Sequence, residues 1–291
     1  MLPNFLVIGV AKAGTTALHW YLAEHPSIFM SRAKDPSYFA YGLDERGQLL
    51  WGNPDIHGFP VKSLPEYEKI FEQAGNAPAI GEASTMYFEC PQAAGRICSL
   101  IPRARIVCCL RHPVDRAYSD YQMYLRSIGR RLDAVRDLSA TSGWVRRDSH
   151  WMQISRYHEH LKRYYDVFPR EQIHILLFED LRKNPLRVLQ DLYRFLDVEP
   201  GFVPDLETPH NVGGMPVNPV LEGVLTSQFI RTAVKPWVPR QAANWVRRLR
   251  TRNMRPAPPL PSGLRSQLID SFREDISQTS ALTGRDLTNW L

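Results

Sequence analysis

Three short apolar runs interrupt an otherwise mixed chain: Phe5 to Ile8, Ile106 to Leu110 and Ile173 to Phe178. A strand with one wet face alternates apolar and polar residues, so runs of this kind, the third interrupted only at His174, predict parallel strands buried on both faces. Each is followed by a polar segment that opens a helix. After Phe5–Ile8 comes a glycine-bearing turn, Gly9 to Gly14, and a helical stretch from Thr15 towards Glu24. After Ile106–Leu110 come Arg111, His112 and Pro113, then apolar residues at Val114, Tyr118, Tyr121, Leu125 and Ile128. Steps of three and four mark one helical face, and Pro113 suits a first helical turn, where its missing N–H costs nothing. Ser155 to Phe168 reads as an amphipathic helix stopped by Pro169. Asn184-Pro185 opens another, with Val188, Leu189, Leu192, Phe195 and Leu196 as its apolar face, and a last helix falls near Leu264 to Leu282. Strands alternating with helices predict an α/β fold: a central, mostly parallel sheet flanked by helices on both faces, with a P-loop-like strand-loop-helix at the N-terminus.

The stretch from Glu199 to Pro219 is rich in Pro, Gly and Asn and reads as loop, and Pro256 to Pro261 separates a basic segment from the final helix. No internal repeat is visible. The expected organisation is one domain over residues 1–291, with a variable loop and helical segment around 200–261 that contributes to the acceptor side of a site.

At 291 residues the chain is long enough for a large core, which excludes a disulfide-stapled mini-protein, a collagen-like repeat and a wholly disordered chain. A formal net charge of +6 points to an anionic partner without naming it. Cys90, Cys98, Cys108 and Cys109 show no metal or disulfide spacing, and the last two, inside an apolar run, read as small buried thiols. Phe5–Ile8 is far shorter than a signal-peptide core, and no uncharged stretch reaches the ~20 residues that cross a bilayer. A soluble, cytoplasmic protein is the expectation.

The candidate chemistry begins at Gly9-Val10-Ala11-Lys12-Ala13-Gly14-Thr15-Thr16-Ala17. A loop between a buried strand and a helix start gathers free backbone N–H groups and the positive end of the helix dipole at one place, which suits an anion. Lys12 adds a mobile charge, and Thr15 and Thr16 add hydroxyl donors. A Walker A loop sets its lysine directly after the second glycine. Here Thr15 occupies that place and Lys12 precedes Gly14 by two, so the Walker reading fails, while an ordinary strand-turn-helix with an incidental lysine stays open.

The loop resembles the 5′-phosphosulfate loop, G-x-x-K-x-G-T-[ST], of sulfotransferases that use 3′-phosphoadenosine 5′-phosphosulfate (PAPS). Lys34-Asp35-Pro36-Ser37-Tyr38-Phe39 resembles that family's K-E-x-H-F-F segment, and Gly81-Glu82-Ala83-Ser84-Thr85-Met86-Tyr87 its G-E-x-S-P-x-Y segment. Arg111 and Ser119, eight residues apart, resemble its 3′-phosphate pair. Tyr157-His158-Glu159-His160-Leu161, Phe178-Glu179-Asp180-Leu181 with Asn184-Pro185, and Gly284-Arg285-Asp286-Leu287 extend the likeness, which is nearest to the bacterial and carbohydrate-type branch. The resemblance implies a sulfuryl transferase needing no metal, and the His and Cys residues offer no metal spacing. Lys12 becomes the electrophilic group, and the amides of Ala13 to Ala17 hold the 5′-phosphate together with Thr15 and Thr16. Asp35 falls on the general base, an Asp where the branch carries Glu, with Glu82 the next candidate and His57 a third.

The resemblance leaves the acceptor open among a saccharide, a glycolipid and a natural-product hydroxyl or phenol, and nucleic acid is not expected. Residues 221–255 combine Phe229, Trp237 and Trp245 with several arginines. Such a segment fits peripheral contact with an anionic membrane, and it equally fits helices that bury one face and solvate their arginines. Two rival classes are a P-loop kinase, which needs Mg²⁺ and ATP, and a non-catalytic nucleotide-binding protein. Nothing in the sequence addresses oligomeric state.

Overall fold

The computed structural model describes residues 1–41, 61–130, 132, 134–207, 215–218 and 253–291. Phe5–Gly9 forms β1, and every one of its residues is fully or nearly fully buried. Because neighbouring side chains on a strand point to opposite faces, both faces of β1 are covered, as an unbroken apolar run requires. The chain continues through α1 (Thr15–Glu24) to β2 (Ile28–Met30), then β3 (Ala79–Ala83), α2 (Ala93–Leu100), β4 (Arg105–Leu110) and α3 (Pro113–Ser127). It goes on with α4 (His150–Ile154), α5 (Tyr157–Tyr165), β5 (Ile173–Leu177), α6 (Phe178–Lys183), α7 (Pro185–Phe195) and α8 (Ser262–Thr283).

The five strands form one parallel sheet in the order β2-β3-β1-β4-β5. From β1 the chain moves outward to β2, returns through β3, and then crosses to β4 on the other side. The strand order therefore reverses between β1 and β4, and the carboxyl ends of those two strands open the crevice where sheets of this kind take ligands. The loop holding Lys12 follows β1, and Arg111 follows β4. At β3, the ring of Phe5 lies against Gly81, where any Cβ would collide with it, so the β1–β3 pairing depends on that glycine.

The apolar faces read from the sequence account for most of the core. Val114, Tyr118, Tyr121 and Leu125 of α3 are buried, as are Leu264, Leu268, Phe272 and Ile276 along α8. Ile128 differs: it lies beyond the helix end and is exposed. The helix expected over Ser155 to Phe168 runs from Tyr157 to Tyr165, and a separate short helix, His150–Ile154, ends just before it. Asp275 of α8 supplies the reason, since its carboxylate accepts from the N–H groups of Tyr157 (2.8 Å) and His158 (3.1 Å) and starts a fresh helix there. Strands β2 and β3 went unrecognised in the sequence; one has three residues and the other contains Gly81 and Glu82. Cys90, Cys108 and Cys109 are buried free thiols. Residues 215–216 and 254–255 pair as a short antiparallel ribbon. His57 and nearly all of 221–255, including Trp237 and Trp245, lie outside the described residues.

Candidate functional site

The turn after β1 is wound tightly. The Ala13 N–H donates to the Val10 carbonyl at 3.1 Å, Lys12 sits in the left-handed region at φ 75°, and Gly14 follows at φ 85°. A Cβ at Gly14 would lie 2.9 Å from the Phe178 ring, so only glycine lets the backbone turn here and pack on α6. Val10 N–H donates to the Cys109 carbonyl (2.9 Å), which ties the loop to β4. Gly14 is the N-cap of α1, and no side chain caps the helix. The amides of Gly14, Thr15, Thr16 and Ala17 therefore lack intrahelical acceptors and point out of the helix start. The Ala13 amide is engaged in closing the turn and its side chain is fully buried. Ala11 contributes to the turn rather than to the cleft wall.

Arg111 approaches from the end of β4. Its guanidinium donates to the Lys12 carbonyl at 3.0 Å and lies 4.8 Å from the Phe178 ring centroid. The strand end is itself fixed, since the Tyr157 hydroxyl donates to the Arg111 carbonyl (2.6 Å) and His112 N–H to Glu179 Oε1 (2.9 Å). Lys12, Thr15, Thr16, Arg111 and Ser119 line one cleft of about 1130 Å³. Ser119 stands two turns along α3, four residues beyond Asp115, on the face turned to the cleft.

The far wall comes from the end of the 200–261 segment expected on the acceptor side of a site. It consists of residues 256–260, held by the Tyr118 hydroxyl, which donates to the Pro258 carbonyl at 2.8 Å. The proline cluster read as a separator is part of the site. Arg182 and Arg265 also face the cleft. Arg265 is engaged by Asp115 through two contacts at 2.6 and 3.2 Å. Four cationic side chains against one paired carboxylate make this a site for a polyanion.

Lys12 is strongly perturbed by its surroundings. Burial is the main cause that lowers its pKa to about 8, with Arg126, Arg111 and Arg116 adding to it and Asp120 opposing. Its ammonium donates to Met123 Sδ at 3.5 Å, a weak acceptor. An ammonium held among cations and, among the described residues, hydrogen-bonded to a thioether gains much from an arriving anion.

Asp35 sits on the loop after β2, itself left-handed at φ 58°. One carboxylate oxygen accepts from the N–H (3.0 Å) and hydroxyl (3.3 Å) of Thr85, and the other faces Lys34 Nζ at 2.7 Å. Half-exposed beside the carboxyl end of β3, it lies at the same sheet edge as Lys12, outside the cleft wall. Glu82 is different. It is fully buried, bonded to the hydroxyls of Ser84 (2.7 Å) and Tyr67 (3.1 Å), and burial foremost raises its pKa to about 7. Glu82 has no exposed surface, whereas Asp35 is partly exposed. Among the described residues no group of His, Cys, Asp and Glu is arranged to hold a metal ion.

A second buried carboxylate, Glu89, has its pKa raised to about 8, again chiefly by burial. The folded protein thus binds a proton there more tightly than the unfolded chain, so this contribution is complete below pH 4.5 and is lost as pH rises towards 8. Glu89→Gln is expected to gain on the wild type in melting temperature progressively from pH 5 to pH 8, about one to several degrees by pH 8. Parallel melting curves at all pH values would refute it.

Comparison with known proteins places this geometry. The sulfotransferase domain family matches residues 2–203. The bifunctional heparan sulfate N-deacetylase/N-sulfotransferase of Drosophila melanogaster is 34% identical over 215 residues, a match covering 68% of this chain and 20% of that protein. Human bifunctional heparan sulfate N-deacetylase/N-sulfotransferase 3 is 32% identical over 227 residues, covering 69% and 23%. The chain thus matches only about a fifth of these curated relatives' length. The crystal structure of a sulfotransferase from Alicyclobacillus acidocaldarius superposes with a TM-score of 0.71 at 28% identity, covering 100% of this chain and 99% of that one.

Proposed function

The chain belongs to the sulfotransferase family, and from that premise we propose that it transfers a sulfuryl group from PAPS to a hydroxyl of a saccharide, glycolipid or natural-product acceptor. The observation that carries this reading is that Lys12 and Arg111 line one cleft and are joined through the Lys12 carbonyl. Two cradles, one at the α1 start and one at the β4 end, fit the two phosphate-bearing ends of one nucleotide.

When bound, PAPS would supply the electrophilic sulfur and, as leaving group, adenosine 3′,5′-bisphosphate. The amides of Gly14 to Ala17 and the hydroxyls of Thr15 and Thr16 would hold the 5′-phosphate, and Arg111 with Ser119 the 3′-phosphate. Lys12 would stabilise negative charge growing on the oxygen that leaves sulfur. Asp35 would accept the proton of the attacking acceptor hydroxyl, as its place at the same sheet edge and its partial exposure support. The chain would work as one catalytic domain, with residues 256–260 closing the nucleotide cleft.

The direct test compares thermal stabilisation by adenosine 3′,5′-bisphosphate, AMP and Mg-ATP. Transfer of ³⁵S from labelled PAPS is then followed to a panel of N-desulfated heparan sulfate, neutral oligosaccharides, glycolipids and phenols. Stabilisation by Mg-ATP alone would replace this reading with a kinase. Asp35→Asn is expected to lower turnover on the best acceptor about a hundredfold or more while bisphosphate affinity stays within about twofold. Unchanged turnover would remove Asp35 from the base role.

A further inference from the structure

We infer that Glu82 is a positioning residue, acting through Ser84 to fix the loop that carries Asp35; for its effect on turnover the inference rests on Asp35 being the base. Asp35 and Ser37 both adopt left-handed backbone, at φ 58° and φ 56°. Two non-glycine residues hold that conformation so close together only where surrounding groups over-determine it. The anchors come from β3 and the residue pair after it. Asp35 N–H donates to the Ala83 carbonyl (2.8 Å), the Thr85 N–H to Asp35 Oδ1 (3.0 Å), and Ser37 N–H to Ser84 Oγ (2.9 Å).

The last of these depends on Glu82. A serine hydroxyl has one proton, and that of Ser84 is given to Glu82 Oε2 at 2.7 Å, which leaves a lone pair for Ser37 N–H. The other carboxylate oxygen accepts from the Tyr67 hydroxyl at 3.1 Å. The Tyr67 ring in turn stacks on Tyr38, with centroids 4.6 Å apart, and meets Phe39 edge-on. One buried carboxylate thus orients the hydroxyl that grips the loop at Ser37 and the ring that packs against the two residues following it. Among the described residues no cation pairs with Glu82, so the ordinary purpose of a buried carboxylate, an ion pair, does not apply. Its oxygens hold the Ser84 and Tyr67 hydroxyls, and the buried Tyr87 hydroxyl stands close enough to the same carboxylate to interact with it.

The test uses Ser84→Ala, Glu82→Ala, Glu82→Gln and Asp35→Asn in the full chain, alone and combined, with ³⁵S transfer to the best acceptor of the panel above. Ser84→Ala and Glu82→Ala are expected to lower turnover about tenfold or more with bisphosphate affinity within about twofold. Glu82→Gln, whose amide oxygen still accepts from Ser84, is expected to keep turnover within about threefold, whereas a base would be lost in Gln and Ala alike. In the Asp35→Asn background, Ser84→Ala should cost less than about twofold, because a residue acting through a carboxylate has nothing left to act on. Amide hydrogen exchange read on residues 34–39 should quicken about tenfold in Glu82→Ala and stay near wild type in Glu82→Gln. If Asp35→Asn itself is active, the base reading has failed, and the exchange data alone decide whether Glu82 fixes the loop. The inference is overturned if exchange in that segment is unchanged in Glu82→Ala. It is also overturned if Ser84→Ala costs as much without the Asp35 carboxylate as with it.

Discussion

Lys12→Ala is expected to lower sulfuryl transfer about a thousandfold, the largest single loss in the molecule. Removing one preorganised donor at a developing oxyanion ordinarily costs about a hundredfold to a thousandfold, and here the donor is charged and mostly buried. Position matters as much as charge. The left-handed residue Lys12 is set between the turn closed by Ala13 and the carbonyl contact from Arg111, so its side chain leaves the loop in one direction, towards the cleft. Lys12→Arg keeps a cation but changes its shape and reach, and should recover little.

The depressed pKa of Lys12 gives a second, independent signature. With the free protein's ammonium titrating near pH 8, kcat/KM should fall as pH rises through that value, because only the protonated side chain stabilises the leaving oxygen. A bound anion favours the ammonium, so the alkaline limb of kcat should lie at higher pH than that of kcat/KM. By the same linkage, binding of adenosine 3′,5′-bisphosphate at pH 8.5 should draw a proton from the buffer. Calorimetry in two buffers of different ionisation enthalpy reads that proton directly. Turnover of Lys12→Ala within about tenfold of wild type, or bisphosphate binding without proton uptake, would remove Lys12 from the reaction.

How much of this was legible in the sequence depends on the distance over which each feature is encoded. The α1 cradle and Arg111 sit where a buried strand runs into a helix, and that junction is written in about ten consecutive residues, so apolar run, glycine and proline suffice to find it. Even there the engagement of the Ala13 amide with the Val10 carbonyl is not written in the local pattern, because it depends on the backbone twist at Lys12. The rest is encoded across the chain. Pro258 is held at the cleft by Tyr118, 140 residues earlier, which binds its carbonyl. Likewise α5 begins where it does because Asp275 caps it from α8. Glu82 looked reactive as a carboxylate in a recognisable segment, but its burial depends on Tyr67 and on the strands either side of β3. Periodicity reports which face of an element is apolar and carries no information about which distant group will meet it.

Arg111→Ala separates the two ends of the cleft and is the second large effect expected. A bidentate guanidinium contact to a phosphate dianion is worth about 3 kcal/mol, or roughly a hundredfold in affinity. Affinity for adenosine 3′,5′-bisphosphate should therefore fall by about that factor. The substitution has a side effect that must be separated out: Arg111 also holds the Lys12 carbonyl and covers the Phe178 ring, so its loss loosens the 5′-phosphate loop too. AMP, which lacks the 3′-phosphate, reports that loosening alone. The ratio of AMP to bisphosphate dissociation constants cancels it and isolates the 3′-phosphate contact, so this ratio should be about a hundred or more in the wild type and fall towards one in Arg111→Ala. Arg111→Lys, with charge but no fork, should give an intermediate ratio. Wild-type protein that binds AMP and the bisphosphate equally well has no 3′-phosphate site at Arg111, and the nucleotide would then have to lie in the cleft in some other way.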